Sequence, residues 1–491
     1  MEFTLFAIVH FFVVMFSFFY YRNIENFFIF NFFLLCMLEI TYSQGYFCLF
    51  SGKEYSYIMV QNYVVLFASA IYFLLHKITL SKKMLIFVLA LLSSFLGSVI
   101  MELVIPYDEL VMLNSTDGGW DAYVLGQVGL SAFNLDMREA IAGFRNLIFY
   151  VIVVLCYKNI TSMDLRYNLL NKLIAFLMPF VFIGYIEYFI KNILNSAKFF
   201  YDMSGFMFGA GHSTYDWNVV STTAEGIYRL QGITREPSHY VVSLFILAVL
   251  ILLKQKIDYK MVFSVNDKYS FLLLLIIPLL FLTGGMTSLW CCFILLLSYL
   301  TLKMQRTRFI YTFIKCFSFI ACVGGLLVIF IPFVLEYGDS SGLELVSRFS
   351  VSLDTLQMMV NNPSVLMMTG MDLSTLARFT SLYVSFSNFL DNPLLGLGGT
   401  VMFAHGFTVT MLVRYGLLGV ISWYCFITSD CKDKNSYDAL FLIIVFAIGG
   451  CFMSSVCGFH SQLYIVLIAE FTTLYSVASK SEGKNCPKNI F

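Results

Sequence analysis

Long apolar runs alternate with short polar breaks along most of the chain. The runs approach the length that crosses a bilayer as a helix, roughly twenty residues. Thirteen can be marked, at 4–20, 27–43, 57–75, 84–105, 139–157, 169–190, 237–253, 270–284, 286–302, 309–335, 407–429, 437–458 and 461–479. Only Gly284-Gly285 divides the eighth run from the ninth, and the eighth is short, so the expected number of spans is about 13, with a range of 11–14. In hydrocarbon only helices and closed barrels satisfy their own backbone, and runs of this length argue for helices. The pattern predicts an all-α polytopic membrane protein, one membrane domain over residues 1–491 without internal repeat or separable soluble domain.

Composition agrees. The chain is 59% hydrophobic and 18% aromatic, with 12% charged residues, where a soluble chain has about a quarter charged. The formal net charge is zero, so no bulk basic character suggests nucleic acid as a partner. The 12 cysteines are scattered, mostly within apolar runs and without a Cys-x-x-Cys pair. Neither zinc ligation nor a disulfide framework is indicated. The first apolar run lacks a basic leader and a small-residue cleavage site, and is read as a retained helix.

Basic residues orient this layout, because cytoplasmic loops carry an excess of lysine and arginine. With the N-terminus outside and the C-terminus inside, 19 of the 30 Lys and Arg residues fall in inner loops, and every inner loop has at least one. Three outer connections are then long: 106–138, 191–236 and 336–406. Each mixes aromatic with acidic residues, as at Trp120 between Asp117 and Asp121, or Trp217 beside Asp216. In the third, Leu376, Phe379, Tyr383, Phe386 and Leu390 stand at helical spacing. That predicts an amphipathic helix at the interface, a lid over the membrane domain.

The outer side holds a second signal. Its ten basic residues are Lys53, Lys191, Lys198, Arg138, Arg145, Arg229, Arg235, Arg348, Arg378 and Arg414, seven of them arginine, against four arginines among the inner 19. Topology needs only positive charge, and lysine serves. An arginine bias points to planar, two-pronged recognition of phosphate or carboxylate. Four of the six histidines, His212, His239, His405 and His460, share that side.

Two constellations concentrate the chemistry. The first is Arg229-Leu-Gln-Gly-Ile-Thr-Arg235-Glu236-Pro237-Ser-His239, at the lip of the seventh apolar run. Proline suits the first helical turn, and the helix N-terminus favours an anion. Charges at the edge of hydrocarbon mark function by default, although Glu236 could equally pair with Arg235 and cap the helix. The second is Arg378 followed by Asp391-Asn392-Pro393-Leu-Leu-Gly396-Leu-Gly398-Gly399, then His405. Asn-Pro begins a turn, and the glycines allow tight backbone paths beside a ligand. His405 has a side chain suited to general-base work; a satisfied interfacial histidine is the plainer reading. Arg145 and Arg414 lie just inside the outer ends of their helices, where an arginine snorkels outward or lines a wet cavity. Glu39, Glu102, Glu187 and Glu470 lie within or near apolar runs without an assigned role. No Asp-x-Asp run supports a metal.

These constellations, in this order on a many-helix chain, resemble the bacterial O-antigen and capsule repeat-unit polymerases of the Wzy type, and the related O-antigen ligases. The segment 229–238 is similar to the family's Arg-x-x-Gly…Glu-Pro-Ser pattern. Arg378 with Asn392-Pro-Leu-Leu-Gly-Leu-Gly398 resembles its Arg…Asn-Pro-Leu-x-Gly-x-Gly stretch, and Gly416-Leu-Leu-Gly419 the glycine pair of the next helix. The motifs cover about a tenth of the chain. Two positions depart: Gly406 stands where the family often has Asn after the histidine, and Thr283-Gly-Gly-Met-Thr287 replaces a Ser-Arg.

The resemblance implies a type C glycosyltransferase in the bacterial inner membrane, its site facing the periplasm. Its substrates would be oligosaccharides linked by diphosphate to undecaprenol. Arg229 and Arg235 would stabilise the leaving diphosphate, with Arg378, Glu236, Arg145 and Arg414 binding substrate. His405 would serve as base, with Glu236 as runner-up. No cofactor or metal is implied; a chain-length regulator and a flippase of the same pathway are the implied partners. Two rivals stay open: a ligase transferring the finished glycan to lipid A core, and a flippase or transporter for lipid-linked oligosaccharide.

Overall fold

The computed structural model describes residues 4–41, 46–48, 54–104, 111–112, 131–132, 137–208, 228–232, 234, 237–259, 268–283, 286–303, 373–397 and 407–427. Among these residues the chain forms twelve α-helices: α1 Leu5–Tyr20, α2 Ile24–Thr41, α3 Tyr57–Leu75, α4 Lys82–Val104, α5 Met137–Ile160, α6 Met163–Tyr188, α7 Ala197–Phe208, α8 Pro237–Tyr259, α9 Lys268–Leu282, α10 Met286–Lys303, α11 Leu373–Asp391 and α12 Phe407–Ile427. A π-helical turn, Phe189–Ile193, continues α6. Ten of the thirteen apolar runs coincide with helices; 309–335, 437–458 and 461–479 lie outside the described residues. Four stretches are long and apolar enough to cross a membrane by length and composition: Ile58–Leu75, Gly143–Ile160, Asp164–Ile193 and Val409–Phe426. Leu5–Tyr20, His239–Gln255 and Tyr269–Leu282 are shorter apolar helices.

Two helices lie in connections expected to be loops. One is α11, where the helical spacing predicted it. The other, α7, falls inside 191–236 and carried no such expectation. Two small antiparallel pairs complete the described structure. β1 (Tyr46–Cys48) pairs with β2 (Glu54–Ser56), and β3 (Val111–Met112) with β4 (Ser131–Ala132). The second pair joins two points within the 106–138 connection.

The centre of the bundle is α8. From His239 to Gln255 every residue is buried, as expected for a helix that is apolar all round. At the periphery, α1 turns Phe11, Phe12, Phe16, Phe18 and Phe19 outward, each more than half exposed. So much contiguous exposed aromatic surface suits lipid rather than water. Polar side chains stitch the first three helices together. The His10 Nε2 and Gln61 Oε1 atoms are 2.8 Å apart, Gln61 Nε2 donates to Asn31 O at 2.8 Å, and Asn31 Nδ2 donates to Ser17 Oγ at 3.1 Å. On the other flank α4 packs along α12 through a ring cluster. Phe87 lies 5.0 Å from Phe426 and 6.1 Å from Trp423, which sits 5.6 Å from Tyr150.

One tyrosine joins α6 to α8. Tyr240 is wholly buried, and its hydroxyl donates to Phe180 O at 2.6 Å. Gly184, one turn on, leaves the hydroxyl its space: a Cβ there would collide with Tyr240 Oη. Gly184→Ala is expected to cost about 1–3 kcal/mol through overpacking. Tyr240→Phe, which removes the colliding atom, should recover part of that loss. Thermal unfolding of the two single variants and the double in detergent checks the coupling; strict additivity would refute it.

Candidate functional site

The arginine motif enters the structure as a strap across the C-terminal end of α6. Asn192, in the π-helical turn, grips Tyr228 like a strand partner: its Nδ2 donates to Tyr228 O at 3.0 Å, and its Oδ1 accepts from Tyr228 N at 2.6 Å. Four residues after Tyr228, the backbone turns over Gly232, whose φ of +61° is a left-handed conformation open to glycine. The face of Tyr240 closes against that glycine, with ring carbons 2.6 Å from where a Cβ would stand. Thr234 closes the turn, its N and Oγ1 both donating to Gln231 O, at 3.0 and 2.6 Å. The Arg-x-x-Gly spacing thus has a local cause: the glycine makes the turn and admits the tyrosine.

The turn aims two consecutive N–H groups at one carboxylate. Glu187 accepts from Gln231 N at 3.0 Å and from Gly232 N at 2.6 Å. One helical turn later, Lys191 pairs with the same carboxylate at 2.6 Å, and both side chains are fully buried. Lys191 Nζ also donates to Tyr201 Oη at 2.8 Å, and lies 4.1 and 4.9 Å from the ring centroids of Tyr201 and Phe200. Two charges removed from water need this much satisfaction to persist. Glu187 and Lys191 therefore fasten three elements together: α6, the strap at 228–232 and α7.

The strap carries Arg229 to a break between two helices. Its Nε donates to Thr283 O, the carbonyl just past α9, at 2.8 Å. This bond holds the guanidinium at the end of α9; Thr287 and Ser288, in the first turn of α10, are buried. It is the main chain of Thr283 that meets Arg229. His239 is buried in the first turn of α8, beside this corner in sequence.

The second constellation forms a backbone knot. Asn392 Nδ2 donates to Gly396 O at 2.9 Å, and Gly396 N to Asn392 O at 2.9 Å, closing a tight loop after α11. That loop runs beside a break in α12, where Gly416 has φ +59° and ψ −160°. Leu397 N donates to Val413 O at 2.7 Å, Leu417 N to Pro393 O at 2.8 Å and Leu418 N to Leu394 O at 3.2 Å. A helix half beginning at Gly416 would leave its first N–H groups unpaired; the carbonyls of 393 and 394 pair two of them. Ser94 of α4 lies between the two segments, its one hydroxyl proton shared between Leu395 O at 2.8 Å and Tyr415 O at 2.5 Å. Of the glycines expected beside a ligand, Gly396 packs against the main chain of Arg414 and Gly416, and Gly398 and Gly399 lie outside the described residues.

The candidate residues divide accordingly. Arg229 is half-buried at the first corner, and Arg414 is half-buried on α12, two residues before its break. Arg145 is exposed on α5, and Arg378 stands on α11. Arg235, Glu236 and His405 lie outside the described residues. The strap draws on α6, α7, α8 and α9, and the knot on α4, α11 and α12, so each corner is assembled by its own set of helices.

One expectation changes. Lys191 falls among the outer basic residues by sequence, yet its charge is enclosed in the pair with Glu187. Sequence reading also missed Glu187, Asn192, Tyr201 and Tyr240 as builders of the site. The available signal was Glu187 four residues before Lys191 at the end of an apolar run, a spacing that pairs on one helix face.

Compared with known protein families the chain matches none, and no match was found among characterised proteins.

Proposed function

We propose that the chain is a polysaccharide repeat-unit polymerase of the bacterial inner membrane, with about 13 spans, its N-terminus outside and its site facing the periplasm. It transfers a growing glycan from undecaprenyl diphosphate to the terminal sugar of an incoming lipid-linked repeat unit. The observation that carries this reading is Arg229, held on the carbonyl at the end of α9 by a strap fastened to a buried carboxylate. A guanidinium fixed before catalysis is the kind of group that stabilises charge developing on a leaving diphosphate. The outer arginine bias and the exposed aromatic surface add to it, since the substrate joins a diphosphate to a polyprenyl tail.

In the proposed step an acceptor hydroxyl oxygen attacks the donor's anomeric carbon from the face opposite the diphosphate. The new C–O bond forms as the bond to the diphosphate oxygen breaks, inverting that centre. The electron pair leaves on undecaprenyl diphosphate, met by Arg229 and Arg235, with Arg378, Arg145 and Arg414 contributing to substrate binding. The hydroxyl proton passes to His405, or to Glu236 if that is the base. The arginines carry the charge stabilisation, so the step calls for no metal.

Deletion of the gene, followed by gel electrophoresis of surface polysaccharide, tests the reading. A ladder collapsing to a single repeat unit on the core is expected. Finished chains stranded on the lipid carrier would indicate a ligase instead, and an unchanged ladder would refute both. Within a complementing plasmid, Arg235→Lys keeps charge but loses the two-pronged fork, and polymer should fall clearly. His405→Ala should abolish turnover while lipid-donor binding persists. Polymer of normal length from well-expressed Arg235→Ala protein would remove that arginine from the mechanism.

A further inference from the structure

Glu187 has no place in the chemistry just proposed, yet its carboxylate is heavily engaged. It receives two backbone N–H groups from the strap and the ammonium of Lys191, all within 3.2 Å, with no exposed surface. A helix needs none of this to span a membrane, and an apolar residue would pack there at lower cost. What the arrangement does is fix a loop. Gln231 and Gly232 are two and three residues after Arg229, so holding their N–H groups sets where the guanidinium stands. Asn192 fixes the residue immediately before it.

We infer that Glu187 is a positioning residue for diphosphate binding, acting through Arg229, and that Lys191 and Tyr201 hold its carboxylate in the orientation the strap requires. This rests on the function proposed above. Tyr201 and Phe200 belong to α7, at the start of the long 191–236 connection, so the same carboxylate ties that connection to the arginine corner. A carboxylate can receive all three donors at once. A glutamine presents one oxygen and one N–H₂, and the N–H₂ would face either a strap N–H or the lysine. Glu187→Gln therefore keeps the shape but disconnects part of the strap.

The test uses the full chain in phosphatidylcholine nanodiscs, with undecaprenyl diphosphate as the probe. Arg229→Ala and Glu187→Gln should each weaken binding about 10- to 100-fold, the scale of loss from a displaced binding group. Their double variant should bind no more weakly than Arg229→Ala alone, because Glu187 acts through that arginine. Losses that multiply in the double variant, or undiminished binding by Glu187→Gln, would overturn the assignment. If Arg229→Ala binds as the unmodified protein does, the proposed function fails by itself. Hydrogen exchange of the amides of 228–232 then decides whether Glu187 holds the strap: unchanged protection in Glu187→Gln says it does not. Should Glu187→Gln fail to fold, Tyr201→Phe removes only the hydroxyl on Lys191. A roughly two- to threefold weakening, absent in the Arg229→Ala background, is expected there, and unchanged binding would again overturn the assignment.

Discussion

Gly396→Ala and Gly416→Ala should each destabilise the protein by at least about 3 kcal/mol, more than Gly97→Ala or Gly184→Ala. Both glycines hold a positive φ, +73° and +59°, which costs an alanine roughly 1–2 kcal/mol. The larger part is collision. A Cβ on Gly396 would stand 2.6 Å from Arg414 C and Gly416 N, and one on Gly416 2.5 Å from Leu394 O. These are main-chain atoms in strands already tied by hydrogen bonds, so relief means opening the knot. Gly97→Ala is the matched control. The atoms nearest its Cβ would belong to the side chain of Leu395, which can rotate, so the loss should stay near about 1 kcal/mol. Heating detergent-solubilised protein and following the monodisperse fraction ranks the three. A Gly97→Ala variant as labile as Gly416→Ala would contradict the backbone argument.

Lys191→Met should cost about 3 kcal/mol. Removing one partner of a buried ion pair typically costs about 3–5 kcal/mol, because the other charge is left in a dry site. The lower end applies here, since two strap N–H groups still reach Glu187. Adding Glu187→Gln removes the stranded charge, and the double variant should regain most of the lost stability. Recovery of stability is not recovery of the strap, because glutamine cannot receive the same donors. The double variant is thus expected to unfold near the normal temperature yet bind undecaprenyl diphosphate weakly. If it unfolds as early as Lys191→Met alone, the pair is not what fails.

The helices were legible because each apolar run is long compared with the breaks between runs, and hydrophobicity alone marks such segments. α11 was legible for another reason: Tyr383, Phe386 and Leu390 recur at helical spacing, and all three are exposed, while Ala377, Thr380, Ser381, Ser385, Asn388 and Phe389 are buried. The α7 helix was hidden because its twelve residues are too short and too mixed to register as an apolar run. The site was legible only as a motif. Arg229 and Gly232 were marked, but what holds them sits about forty residues earlier, on a different helix. No local pattern announces that a glutamate at a helix end will receive two N–H groups from a distant loop. Likewise Asn392-Pro and its glycines pointed to a tight turn, and the turn is there. That it also pairs the free N–H groups of a broken helix required knowing where Gly416 lies.

Ser94 bonds to carbonyls 301 and 321 residues further along the chain. A ribosome adding about 5–20 residues per second needs roughly 15–60 s to reach Tyr415 after making α4. Throughout that interval α4 must wait with its serine hydroxyl and its face at Gly97 lacking the partners they will finally have. Half-made chains therefore spend much of synthesis as an incomplete bundle, and the insertion machinery or an intramembrane chaperone is the natural guardian of that stage. The knot at Gly396 and Gly416 is, in this sense, a late stitch of biogenesis, and chains with defects in it should be cleared before they finish folding.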